Sequence, residues 1–144
     1  GKTFFTFGGA ASHDIQGGVF EPSDPDLRSK IKRAEAANLP CRILREDWWP
    51  EELPSEEEME EGLRNLEKVN YKVDYVITHC ASDGIQDILD PQPGKLFKTD
   101  ALTDYFQKLE AQLEYTKWYF GHYHMDLKMD EKHVLLYQAI VPLE

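Results

Sequence analysis

The stretch Val73-Asp74-Tyr75-Val76-Ile77-Thr78-His79 is a near-continuous run of β-forming residues that ends in a histidine. Such a run is typical of a strand that is covered on both faces, as in parallel sheets. A second run, Lys117-Trp118-Tyr119-Phe120, ends at Gly121, and His122-Tyr123-His124 follows at once. A third run, Thr3 to Phe7, ends at Gly8-Gly9. All three runs predict strands, and the first two carry histidines at their carboxyl ends.

Three helical patterns lie between these strands. The first places Leu27, Ile31 and Ala34 at helical spacing, with Pro25 expected at the first helical position. The second starts at a capping box of Ser55 and Glu58, where acidic residues suit the helix dipole, and continues to about Asn70. The third starts at a Thr99 or Asp100 cap and carries an apolar face, which consists of Leu102, Tyr105, Phe106, Leu109 and Leu113.

The remaining segments are expected to be a loop and a hairpin. The stretch after His79 is rich in Asp, Pro and Gly and predicts a loop as far as Lys98. Val134 to Val141 predicts a last strand that pairs with the preceding one across Met129–Lys132. Strands that alternate with helices predict an α/β fold, and we expect one domain over residues 1–144.

Composition excludes several function classes. The chain has 144 residues, with 16 Lys+Arg against 27 Asp+Glu and a net charge of −11, which argues against a partner such as extended nucleic acid. No apolar run reaches the roughly 20 residues of a membrane span, and the start lacks the pattern of a signal peptide. We therefore expect a cytoplasmic protein with no membrane partner, in which Cys41 and Cys80 are reduced structural thiols.

Three of the five histidines follow predicted strands and are the candidate metal ligands. His79, His122 and His124 come together if the two strands are parallel neighbours. Imidazole binds Zn, Fe, Ni and Cu-type ions, and Mn where carboxylates share the site. The alternative is that these histidines are hydrogen-bonded residues at the edge of the sheet, and the spacing alone leaves both interpretations open.

Other residues give weaker indications. His13 and Asp14 follow the glycine segment and are candidates for substrate binding, although loop aspartates also cap turns. His133 opens the last predicted strand and is expected at the surface. Trp48 and Trp49 either stack on a ligand or pin an acidic loop onto the core, and the second interpretation is favoured.

Several motifs together resemble the calcineurin-like metallophosphoesterases, in particular their small bacterial and phage-type members. The motifs occur in order over nearly the whole chain: Phe7-Gly8-Gly9-Ala10, Ser12 with Asp14, Trp48-Trp49-Pro50-Glu51-Glu52, Asp74 to His79, and Phe120-Gly121-His122-Tyr123-His124. The resemblance implies a four-layer α-β-β-α sandwich with a two-metal site that hydrolyses phosphate mono- or diesters. By position, it implies that His79 and His122 bind one ion and His124 the other, with Mn, Fe, Zn or Ni as candidate ions.

The Asp-x-His, Gly-Asp and Gly-Asn-His segments of that family do not occur in this sequence. The resemblance therefore covers the C-terminal half of the family's domain and supplies no catalytic residue, so we expect little activity from the chain alone. A half sandwich exposes a sheet edge and an apolar face, which predicts a homodimer or pairing with the missing N-terminal half. The expected substrate is a small phosphoester, and the alternatives are a non-catalytic protein-interaction module or an unrelated histidine metal-binding domain.

Overall fold

The computed structural model describes residues 1–92 and 96–143. It contains seven strands: β1 (Phe4–Phe7), β2 (Gly18–Phe20), β3 (Cys41–Ile43), β4 (Tyr75–Thr78), β5 (Lys117–Phe120), β6 (Leu127–Lys128) and β7 (His133–Leu135). It contains four α-helices: α1 (Leu27–Ala36), α2 (Glu56–Glu67), α3 (Asp83–Leu89) and α4 (Ala101–Gln112). Backbone contacts divide these elements between two compact units, Gly1–Ala10 with Pro54–Glu144, and Ala11–Leu53.

The larger unit is built on a five-stranded sheet with the strand order β1-β4-β5-β7-β6. All neighbours in this sheet are parallel except β6 and β7, which form an antiparallel hairpin. Thr78 at the end of β4 aligns with Phe120 at the end of β5. The segments that follow these two residues therefore leave the same edge of the sheet, and the predicted α/β class with a parallel sheet is confirmed.

One face of this sheet packs against helices through aromatic side chains. The Phe106 ring of α4 meets the Trp118 ring of β5 edge-on, with 5.7 Å between centroids, and the Phe7 ring of β1 at 5.9 Å. Helix α2 approaches the same layer at Gly62, where an added Cβ would lie 3.1 Å from Cε2 of Phe7. Glycine is favoured there because a Cβ would also collide with the Tyr105 hydroxyl of α4.

Polar side chains cap the N-termini of α2 and α4. Ser55 and Glu58 form the predicted capping box of α2, and Asp100 caps α4 by accepting hydrogen bonds from the backbone N–H groups of Leu102 and Thr103. Helix α1 differs from the prediction because it begins at Leu27, so Pro25 lies outside it. The Asp24 side chain accepts a hydrogen bond from the Asp26 N–H instead, which forms a turn ahead of the helix.

Two further predictions in the larger unit were wrong. The expected loop after His79 contains α3, whose N-cap is the buried Ser82. The last strand ends at Leu135 rather than at Val141, and it runs parallel to β5 while its hairpin partner is the two-residue β6. The position of β7 is decided by its pairing with β5 and β6. A local sequence pattern does not encode this pairing.

The smaller unit contains α1 and a two-stranded parallel sheet of β2 and β3. Gly17 lies where α1 packs against the short sheet. Its N–H donates to the Pro40 carbonyl at 2.7 Å, and an added Cβ would collide with Ala34 of α1. The turn after β3 is closed by the Arg45 N–H, which donates to the Trp48 carbonyl at 2.7 Å. These contacts hold the connections of the unit close to its short sheet.

Candidate metal-binding edge of the parallel sheet

His79 and His122 are neighbours at the carboxyl ends of β4 and β5. The Gly121 N–H donates a hydrogen bond to the His79 carbonyl at 3.0 Å, which extends the parallel pairing one step past the strands. The two imidazole rings meet edge to face, with 5.1 Å between their centroids. The predicted convergence of these two histidines is therefore confirmed.

The segment after β5 alternates between the interior and the surface. Tyr123 is buried and its hydroxyl accepts a hydrogen bond from the Ala81 N–H at 3.1 Å. His122 and His124, on either side of it, have left-handed backbone conformations with φ of 75° and 52°. Non-glycine residues in this region carry strain of about 1–3 kcal/mol, and such strain concentrates at functional sites. The buried tyrosine anchors the turn that carries both histidines.

Electrostatics favour a neutral imidazole at His79. Partial desolvation, together with the charge of His124, lowers the pKa of His79 below its ordinary value. A neutral imidazole has a nitrogen lone pair available for a metal ion at neutral pH. The adjacent Cys80 differs, because burial raises the pKa of its thiol to about 12 and keeps it protonated.

His124 lies close enough to His79 to influence its pKa, but its ring packs against a different neighbour. The rings of His124 and Tyr137 are 5.1 Å apart between centroids. Within residues 1–92 and 96–143, no three His, Cys, Asp or Glu side chains are grouped closely enough to hold a metal ion. His79 and His122 thus form a pair, whereas the His124 ring packs against Tyr137.

Asp126 fixes the chain segment that carries Tyr137, a role that the sequence analysis missed. Its carboxylate accepts hydrogen bonds from the backbone N–H groups of Tyr137, Gln138 and Ala139, at 2.7 to 3.2 Å. These bonds lower the pKa of Asp126. An aspartate two residues after a His-x-His motif was a visible signal, but its partners lie more than ten positions away in the sequence.

The candidate substrate-binding residues belong to the smaller unit. The Asp14 carboxylate forms an ion pair with Arg42, which is the second residue of β3. The carbonyl of His13 accepts a hydrogen bond from the side chain of Gln16. Both contacts stabilise the loop that precedes β2, and the role of His13 and Asp14 in substrate binding stays a prediction.

His133 is buried, so its predicted surface position was wrong. It is only 7% exposed, its Nε2 lies 2.9 Å from the Tyr115 hydroxyl, and its Nδ1 lies 2.8 Å from Oδ2 of Asp130. Glu110 of α4 is 3.4 Å from the same Nε2, and it accepts a hydrogen bond from Ser82 at 2.5 Å. The ring therefore joins β7 to α4 and to the N-terminus of α3.

Comparison of the chain with protein-family models, with curated proteins and with solved structures finds no match. In the part of the chain that the structure describes, no helix is both long enough and apolar enough to cross a membrane.

Proposed function

We propose that the protein is a metal-dependent phosphoesterase and that this chain contributes the histidine ligands of its metal site. The observation that carries the proposal is the contact between the His79 and His122 rings at the carboxyl ends of two parallel strands. Loops at this edge of a parallel sheet are the usual place for ligands. The motif resemblance in the sequence supplies the reaction, which is hydrolysis of a phosphate monoester or diester.

The donor set fits a borderline divalent cation. Imidazole nitrogen suits Mn, Fe, Zn or Ni, and the lowered pKa of His79 favours the neutral ring that binds a metal ion. His79 and His122 would hold the first ion. His124 would become a further metal ligand after its ring turns away from Tyr137. When bound, a divalent ion polarises a phosphoryl oxygen and lowers the pKa of a coordinated water.

Three imidazoles are an incomplete set for two-metal chemistry, because bridging two cations takes a carboxylate. In the proposal, the remaining ligands come from a second segment or a second copy of the chain. The chain alone is therefore expected to bind metal and phosphate but to hydrolyse phosphoesters slowly. Metal binding, phosphate binding and phosphoester hydrolysis can therefore be measured separately.

Metal content provides the first test. After equilibrium dialysis against Mn²⁺ or Zn²⁺, elemental analysis should find about one ion per chain. The double variant His122→Ala, His124→Ala should lose this ion. The control is Lys108→Ala, which changes an exposed side chain of α4 in the same unit, and it should retain the ion. Equal metal content in all three proteins would contradict the proposed ligands.

Binding of a phosphate analogue tests the reaction class without requiring turnover. Orthovanadate should bind to the metal-loaded chain, as measured by calorimetry, and should not bind after chelation or to the double histidine variant. Metal binding without any vanadate binding would favour a simple metal-binding domain. Vanadate binding that is independent of metal would contradict a metal-centred phosphoesterase.

A second candidate function, a protein-interaction module, is favoured by exposed apolar residues on the sheet. Phe4 of β1 is 45% exposed and Ile77 of β4 is 40% exposed. Phe4 pairs with Tyr75 and Thr6 pairs with Ile77, so the two apolar side chains lie on one face beside the β1 edge. Sedimentation velocity tests this candidate, because self-association should weaken in the Ile77→Thr variant, and a monomer at every concentration would contradict it.

A further inference from the structure

The smaller unit contains a cleft that the phosphoesterase proposal does not use. Its volume is about 430 Å³, and it is lined by two indoles, three carboxylates and one guanidinium: Trp48, Trp49, Asp47, Glu51, Glu52 and Arg45. A volume of a few hundred Å³ is the size of a small-molecule site. All of these residues come from one short stretch of chain inside one unit.

Hydrogen bonds fix both walls of the cleft. Arg45 and Trp48 are joined through their backbones, and the Asp47 carboxylate accepts from the Ile43 N–H, which closes the turn before the indoles. On the other wall, both oxygens of Glu52 accept from Ser12, one from its N–H at 2.9 Å and one from its hydroxyl. A site with fixed walls loses little conformational entropy when a ligand binds.

The charge of the cleft selects for a cation. Arg45 pairs with Glu51 at 2.9 Å, which leaves the charges of Asp47 and Glu52 uncompensated within the cleft lining. Their carboxylates already accept hydrogen bonds from Ile43 and Ser12. Asp47 and Glu52 therefore give the cleft a negative potential that attracts a cation.

The indoles supply the remaining recognition. Trp49 is 46% exposed, so part of its ring is available to a ligand. Tryptophan is the best aromatic partner for quaternary ammonium groups. The neighbouring Trp48 also lines the cleft, and its N–H is buried with no acceptor among the residues that the structure describes.

We propose that this cleft binds a quaternary ammonium compound, for which choline is a suitable probe. Trp49 contacts the methylated ammonium, and Asp47 and Glu52 supply the attractive potential. The site is independent of the histidines at the sheet edge, and it stands whether or not they bind metal.

A pair of isosteric probes separates charge recognition from apolar burial. Choline and 3,3-dimethyl-1-butanol have the same shape, but only choline is charged. We expect choline to bind to the 144-residue chain with a dissociation constant of about 1 mM and the neutral alcohol to bind at least about tenfold more weakly, as measured by NMR titration. Equal affinity for the two probes, or no choline binding up to about 50 mM, would overturn the proposal.

Variants locate the binding site. Trp49→Ala should weaken choline binding about tenfold, and Trp49→Phe should restore part of it, because phenylalanine retains a weaker aromatic face. Glu51→Gln changes an exposed side chain and removes the partner of Arg45; it should weaken choline binding several-fold without affecting folding. The control is Tyr137→Ala, which removes an exposed ring elsewhere and should leave the affinity unchanged. Wild-type affinity in both Trp49→Ala and Glu51→Gln would overturn the assignment.

Discussion

The larger unit contains histidines in two different settings. His133 is buried among two carboxylates and a tyrosine hydroxyl, and it connects β7, α3 and α4. His79 and His122 lie at the end of the sheet and contact each other's rings. A histidine surrounded by carboxylates and a hydroxyl contributes to folding, whereas a pair of imidazoles at a strand end is arranged to receive a ligand. The difference separates a structural histidine from a functional one in the same fold.

The largest expected effect is on stability. His133→Ala should lower the free energy of unfolding by about 3 kcal/mol, because it removes a buried ring and leaves the buried Tyr115 hydroxyl without its His133 partner. His79→Ala changes an exposed side chain and should stay within about 0.5 kcal/mol of wild type. Urea denaturation followed by circular dichroism measures both. A similar loss of unfolding free energy in the two variants would contradict the distinction between a structural His133 and a functional His79.

A second test compares a glycine in the core, Gly62, with a glycine at the carboxyl end of β1, Gly8. Gly62→Ala places a methyl group against Tyr105 and Phe7 and should destabilise the protein by about 1–2 kcal/mol, even after the gain in helix propensity. Gly8 follows β1, and an added Cβ there would meet nothing within 4 Å. Gly8→Ala should therefore be close to neutral in the same denaturation experiment. A neutral Gly62→Ala would mean that α2 can shift away from the sheet at little cost.

The helices and strands that were predicted correctly are determined by residues close to one another in the sequence. The Ser55 capping box and the Asp100 cap combine a polar cap with an apolar helical face a few residues later, so neighbouring residues define α2 and α4. Strands β4 and β5 are short runs of buried β-formers, and their parallel pairing brings His79 next to His122 as expected.

The features that were missed depend on distant contacts. Helix α3 has only seven residues, and its cap Ser82 is stabilised by Glu110 from the next helix. The burial of His133 depends on the same glutamate and on β5, which no pattern around residue 133 reveals. The packing of His124 against Tyr137 likewise depends on the three hydrogen bonds that Asp126 accepts from residues 137–139.

The buried setting should also respond to acid. Desolvation favours the neutral form of Asp130, but hydrogen bonds from the His133 ring and from two backbone N–H groups outweigh it, so its pKa is lowered. A carboxylate with a lowered pKa stabilises the fold above its unfolded pKa of about 4 and loses this contribution as the pH falls through the folded value. Wild type should therefore lose more stability than Asp130→Asn between about pH 5 and pH 2.5. Parallel pH profiles for the two proteins would contradict this role of Asp130.

The smallest effect concerns the edge of the sheet. Tyr137 holds the His124 ring, with 5.1 Å between centroids, and an aromatic contact of this kind is worth about 0.5–1.5 kcal/mol. If His124 must leave Tyr137 to complete the ligand set, Tyr137→Ala removes this cost and should raise zinc affinity by about two- to tenfold. Competition with a chromophoric chelator measures the change, and Asp126 remains in place to hold the backbone of the segment. An unchanged affinity would show that His124 binds no metal or already binds beside Tyr137, and a reduced affinity would make Tyr137 a support of the site.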